Sequence, residues 1–214
     1  TIVDSDPIDR ALSSDQVTLI ESIVPYRKSL AVFTKSGRQF ELNAPEAFTP
    51  NTVSVTESTA YNTTATVKPK RMHESLFFTG PSGLRTSLFE YRALEDSVNP
   101  RADDVSSHVN ELMDDDIKNV VTHPNFQMVF VLPLDTNLIY VYQQFRENVN
   151  REQAAWTKWT FDSNYDIDDI AVIEDELFML VHDPGENRRI LEKINLADTV
   201  GNLDLSGGQS LPTA

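Results

Sequence analysis

The chain has 214 residues, 40% of them hydrophobic, with 33 acids against 18 bases and a formal charge of −15. That length allows one or two domains with a substantial core. The acidic balance argues against ordinary phosphate binding, which draws its affinity chiefly from cations. No cysteine is present, so disulfides, thiolate nucleophiles and Cys-based zinc sites are excluded.

No apolar run approaches the roughly 18 residues that would suggest a membrane-spanning helix. The chain opens TIVDSDP, without the basic and apolar regions of a signal peptide, and lacks an initiator Met. It is therefore read as a piece of a longer polypeptide.

Helix signals are scarce, and short runs of Val, Ile, Leu, Phe, Thr and Tyr recur between turn residues, which predicts an all-β chain. Four segments repeat one plan of strand, turn, apolar strand, turn and strand. They are ESIVPYRKSLAVFTKSGRQFEL from Glu21, KPKRMHESLFFTGPSGLRTSLFEY from Lys68, KNVVTHPNFQMVFVLPLDTNLIYVYQQF from Lys118 and DDIAVIEDELFMLVHDPGENRRILEKI from Asp168. The apolar strands begin at Leu30, Leu76, Met128 and Leu177, at spacings of 46, 52 and 49 residues.

A period near fifty, with three or four strands per unit, is that of a β-propeller blade. The prediction is four blade-like antiparallel repeats forming a propeller-type domain over 1–205, an incomplete part of a larger propeller, followed by a flexible tail over 206–214. The cores LAVFT, LFFTG, MVFVL and LFMLV are apolar at successive positions, so each is expected to be covered on both faces. KSGR from Lys35, GPSG from Gly80 and DPGEN from Asp183 supply hairpin turns.

The interval 95–117 is the least strand-like and is expected to be an irregular or helical insertion. Within it, SSHVNELM offers Ser106 or Ser107 as an N-cap, with Val109, Leu112 and Met113 on one face. The run Asp114 to Asp116 would oppose the negative end of such a helix and is assigned to a loop.

The strongest metal candidate is DSNYDIDD, where Asp162, Asn164 and Asp166 occupy the first, third and fifth positions of a calcium loop. Its sixth position is Ile167 in place of Gly and its twelfth is Ile173 in place of Glu, so an acidic turn is the favoured reading. His73, His108, His123 and His182 show no ligand spacing and are expected at the surface or at strand ends. Ser82 in GPSG lacks the G-x-S-x-G frame of a nucleophile. The sequon at Asn62 matters only in a secretory pathway. Nucleotide-binding and zinc-hydrolase motifs are missing, no cofactor is expected, and no catalytic residue can be assigned among so many acids.

The only tryptophans, Trp156 and Trp159, lie in NREQAAWTKWTF, read as a turn and returning outer strand. Strand alternation puts Trp156, Lys158 and Thr160 on one face and Trp159 and Phe161 on the other. The pair therefore reads as packing or interface rather than as one ligand platform.

The segments SDPIDRALSSDQVTLIESIVPYRKSLAVFTKSGRQFELN from Ser5 and FTPNTVSVTESTAYNTTATVKP from Phe48 resemble the tail tubular protein B, or nozzle protein, family of short-tailed bacteriophages. The resemblance continues through SLFFTGPSGLRTSLFEYRALEDS, ADDVSSHV, LIYVYQQF and QAAWTKWTF, covering Ser5 to at least Phe161. It implies a non-enzymatic virion tail protein in a homo-hexameric nozzle with a propeller-type body. The implied partners are the adaptor ring of tail tubular protein A, the tail fibres, and double-stranded DNA passing through without specific binding. Family subunits are several times longer than this chain. A tail-associated polysaccharide-binding or polysaccharide-degrading protein is the alternative reading.

Overall fold

The computed structural model describes residues 6–9, 19–35, 38–64, 66–92, 101–109, 116–134, 137–147 and 150–197, the side chains of 147 and 150–152 excepted. The described residues form four antiparallel sheets taken up in chain order. Sheet 1 comprises β1 (Ile20–Tyr26), β2 (Ser29–Thr34), β3 (Gln39–Asn43) and β4 (Ser54–Thr59). Sheet 2 comprises β5 (Lys70–Met72), β6 (Ser75–Ser82), β7 (Arg85–Arg92) and β8 (Arg101–Asp104). Sheet 3 comprises β9 (Ile117–His123), β10 (Met128–Pro133), β11 (Leu138–Glu147) and β12 (Asn150–Thr160), and sheet 4 has β13 (Asp166–Ile173), β14 (Glu176–Asp183) and β15 (Arg188–Asn195).

The all-β expectation holds, and the four repeats are the four sheets. Leu30, Leu76, Met128 and Leu177 all fall on the second strand of their sheet. Each sheet is a simple meander, because short turns can join only neighbouring antiparallel strands.

Second strands are heavily buried, as their apolar runs require, and in sheet 2 the third strand is buried to the same extent. Every residue of β10 is buried, and so are Ser75 to Gly80 of β6. β14 departs from the expectation of cover on both faces. Leu177, Met179 and Val181 are buried while Phe178 and Leu180 are only half-buried, so one face of sheet 4 meets the core and the other stays partly open.

Two compact units are present, Thr1–Asn110 with sheets 1 and 2 and Glu111–Ala214 with sheets 3 and 4. In unit 1, Tyr26, Ala31 and Phe33 of sheet 1 share a core with Phe78, Phe89 and Tyr91 of sheet 2. Rings interlock there, with Phe33–Phe78 and Tyr26–Tyr91 centroids both 5.2 Å apart. In unit 2, Phe130, Ile139 and Val141 of sheet 3 pack with Ile170, Leu177 and Met179 of sheet 4.

The link from β4 to β5 is pinned between its sheets. Gln39 Nε2 donates to the Tyr61 carbonyl and to Thr63 Oγ1, and Thr64 N donates to Thr79 O at 2.8 Å. Gly80 is required by this approach, since a Cβ there would lie 2.2 Å from the Asn62 carbonyl oxygen.

That contact corrects the reading of GPSG as a turn. Gly80 to Ser82 belong to β6, and the turn is Gly83–Leu84, with Gly83 at φ 68°. In DPGEN, Asp183 Oδ1 accepts from Gly185 N and Glu186 N, and the positive φ, 49°, is at Asn187. Of KSGR, residues 36 and 37 lie outside the described residues.

The turns between first and second strands share a signature without glycine. Arg27, His73 and Glu174 each open a two-residue turn at φ 52–55°, and Gln127 closes the longer turn Pro124 to Gln127 at φ 53°. Left-handed backbone at a non-glycine costs on the order of 1–2 kcal/mol, so its recurrence reflects the hairpin geometry.

The interval expected to be irregular contains a strand. β8 pairs with β7, Tyr91 facing Ala102 and Arg92 facing Arg101. Its sequence, RADD, is that of a charged edge strand and shows no apolar alternation. The expected helix is a 3-10 turn over Ser107–Val109, where Ser107 Oγ donates to Asp104 O. Leu112, Met113, Asp114 and Asp115 lie outside the described residues, as does the tail 206–214.

Candidate assembly surfaces

In each unit a polar contact joins the turn between first and second strands of one sheet to the matching turn of the next. In unit 1, Arg27 Nη2 of the β1–β2 turn lies 2.8 Å from Glu74 Oε2 of the β5–β6 turn. Both side chains are exposed, so this pair orients the turns and adds little stability. In unit 2, His123 at the end of β9 lies 3.1 Å through Nε2 from Asp175 Oδ1 in the β13–β14 turn.

His123 is at a strand end, as one of the two expected placements had it, but it is buried there, at 1% exposed. Its Nδ1 accepts from Phe126 N at 3.2 Å and its ring stacks on Phe126 with centroids 4.6 Å apart. An acceptor Nδ1 leaves the proton on Nε2, which donates to Asp175. The sequence signal was a His directly before a Pro-Asn turn, where a ring can cap a free amide.

Beside this contact, β9 meets β13. Asn119 Nδ2 donates to Asp169 Oδ1 and to Ile170 O. Asp168 accepts from Arg189 Nε at 2.6 Å and faces Lys118 Nζ at 3.8 Å. The Arg189 hydrogen bond, aided by the charges of Arg189 and Lys118, holds the Asp168 carboxyl below its ordinary range.

Unit 1 carries a comparable buried link. The Tyr91 hydroxyl on β7 donates to Glu41 Oε1 on β3 at 2.7 Å. Burial pushes the Tyr91 phenol far above the ordinary tyrosine range; Ser58 opposes this and the Glu41 carboxylate adds to it.

The two tryptophans sit on β12, Trp156 opposite Tyr142 and Trp159 opposite Ile139. Trp159 packs on the core of unit 2, edge to face with Phe130 at 5.6 Å, and Phe161 packs on the same core. Trp156 lies against Tyr142 at 5.1 Å. Both rings are half-buried.

Asp162 and Asn164 meet each other, but as a turn. Asp162 Oδ1 accepts from the backbone and side-chain nitrogens of Asn164, both at 2.9 Å. Asp166 opens β13, exposed and paired in register with His182. Among the described residues no group of three or more His, Cys, Asp or Glu is placed to hold a metal ion. His73 stands in the exposed β5–β6 turn, His108 in the exposed 3-10 turn and His182 half-buried on β14.

The charge is divided unevenly. Unit 1 holds 14 acids and 11 bases, whereas unit 2 holds 19 acids and 7 bases, giving −3 and −12. No described helix is long and apolar enough to cross a membrane.

Consecutive meander sheets, clipped turn to turn within each unit, define an all-β structural scaffold. A model of the bacteriophage nozzle protein family matches residues 1–209. The tail tubular protein gp12 of Escherichia phage T7 is 24% identical over 206 residues, 95% of this chain. The chain spans about a quarter of that relative's length, 25%. It belongs to the bacteriophage nozzle protein family and is a structural component of a phage virion tail.

Proposed function

We propose that the chain is the propeller-type part of a nozzle subunit, several copies of which form the wall of the channel through which DNA leaves the virion. Family membership over residues 1–209 carries this reading. The fold supports it: each described sheet is a meander, and the last strand of one sheet leads into the first strand of the next within a unit, the connection that radial blades require. The charge of −15 supports the channel role, because a negative wall repels passing phosphates and keeps them from sticking.

In this reading the full subunit forms a homo-hexamer, seats against the adaptor ring of tail tubular protein A and helps to hold the tail fibres. Trp156 and Trp159 serve packing and assembly, and the action is mechanical rather than catalytic. Imaging of the tail at side-chain resolution tests it. Six copies in a ring with radial sheets and a net acidic bore are expected; sheets that are not radial, or a strongly basic bore, would overturn it. Incubation with host capsule is expected to release no oligosaccharide, and release abolished by substituting one pair of acids would favour a polysaccharide-degrading protein instead.

A further inference from the structure

The third and fifth residues of the second strand are buried in sheets 1, 2 and 3. They are Ala31 and Phe33 in β2, Phe77 and Thr79 in β6, and Phe130 and Leu132 in β10. In β14 the same positions hold Phe178 and Leu180, which are only half-buried. Cross-strand register puts Ile173 and Leu191 on the face that these two share, 58% and 68% exposed. Sheet 4 therefore carries an open face with Ile173, Phe178, Leu180 and Leu191 side by side.

The two described cores show what covers this face in a sheet that has a successor. Ala31 and Phe33 share a core with Leu76 and Phe78, the second and fourth residues of the next second strand. Phe130 and Leu132 share one with Leu177 and Met179, again the second and fourth. The same rule holds in both units: the third and fifth residues of one second strand pack on the second and fourth of the next.

We infer that Ile173, Phe178, Leu180 and Leu191 seat a fifth meander sheet, supplied by the remainder of the longer subunit, whose second strand presents apolar residues at its second and fourth positions. The inference rests on the propeller reading above and names the face on which the next sheet docks. The phage T7 relative has room for such a sheet, since the match to this chain covers 25% of its length. A second copy of the described sheets does not fit the place. The fourth residue of each of their second strands, Val32, Phe78, Val131 and Met179, is already buried within a single copy. A polyanion does not fit either, because the cations flanking the face are neutralised, Lys193 by Glu176 and Arg189 by Asp168. The centre of the face is apolar, and its burial is favourable against another apolar surface.

The test uses the full-length nozzle subunit, kept dilute so that it stays monomeric. Alkylation of Leu191→Cys and of Ile173→Cys is followed by mass spectrometry of the peptides that hold them. Both side chains are exposed in sheet 4, so neither change disturbs the described core. Labelling is expected to be at least about 100-fold slower than that of a free cysteine peptide, because the face opens only when the covering sheet detaches. The protection should be the same in dilute subunits and in assembled rings. In an image of the tail at side-chain resolution, the residues touching Phe178 and Leu180 should be the second and fourth of a second strand that lies outside this chain. Labelling as fast as the free peptide, in rings whose sheets are radial, would overturn the inference and leave the propeller reading intact. Protection that appears only on ring assembly would put a neighbouring copy on the face and overturn it as well. Sheets that are not radial would overturn both.

Discussion

His123 Nε2 and Asp175 Oδ1 lie 3.1 Å apart, joining the β9–β10 turn to the β13–β14 turn. The same ring accepts the Phe126 amide through Nδ1, so one buried side chain closes its own turn and clips the next sheet. Arg27 and Glu74 occupy the matching turns of unit 1 with an exposed pair. The position is shared, but burial makes the unit 2 version the one with energetic weight.

His123→Ala is therefore expected to destabilise unit 2 by about 2–3 kcal/mol, since the Phe126 amide loses its acceptor and a buried ring is removed. Asp175→Asn keeps an acceptor and should cost less than about 1 kcal/mol. Urea unfolding followed by tryptophan fluorescence checks both, as Trp156 and Trp159 lie in this unit.

Gly80→Ala places a methyl group 2.2 Å from the Asn62 carbonyl oxygen, so backbone must move. A loss of about 3 kcal/mol or more is expected, comparable to severe overpacking. Gly83→Ala meets open space and should cost only the roughly 1–2 kcal/mol of left-handed backbone. Thermal melts of the two variants should separate clearly.

Tyr91 predicts an alkaline limit. Its folded-state pKa is raised by burial, so the phenol stays protonated while an unfolded tyrosine ionises near pH 10. The folded state then binds the extra proton, and stability present below about pH 10 is lost as pH rises beyond it. Tyr91→Phe should flatten that fall while lowering stability near neutral pH by about 1 kcal/mol through the lost Glu41 bond. Stability measured between about pH 8 and pH 11, on either side of the ordinary tyrosine value, reads the difference.

Trp159→Ala should be the more damaging of the tryptophan changes, by about 2–4 kcal/mol, because its ring closes the core against Phe130. Trp156→Ala, which uncovers Tyr142, should cost about 1–2 kcal/mol in the isolated chain and more in assembled rings. Equal losses in both settings would place Trp156 outside any interface.

Much of the fold was legible because apolar runs and turn residues are local signals. Leu30, Leu76, Met128 and Leu177 marked the second strand of all four sheets. β8 was not legible, because Arg101 to Asp104 form a charged edge that pairs with β7 without needing an apolar face. His123 stands at a strand end as expected, but its burial was not legible, because its partner Asp175 is 52 residues away. The calcium-like spacing of Asp162, Asn164 and Asp166 reflected a turn that satisfies its own backbone.

What the sequence alone determined is the all-β class, the repeat near fifty residues and the nozzle-family resemblance, since periodicity and motif order are properties of the chain itself. Which turns clip together, why Gly80 admits no side chain, and that Trp159 packs on Phe130 while Trp156 packs on Tyr142 were decided only by the tertiary structure. Each depends on atoms brought together from different strands, and a linear pattern does not encode how closely they approach.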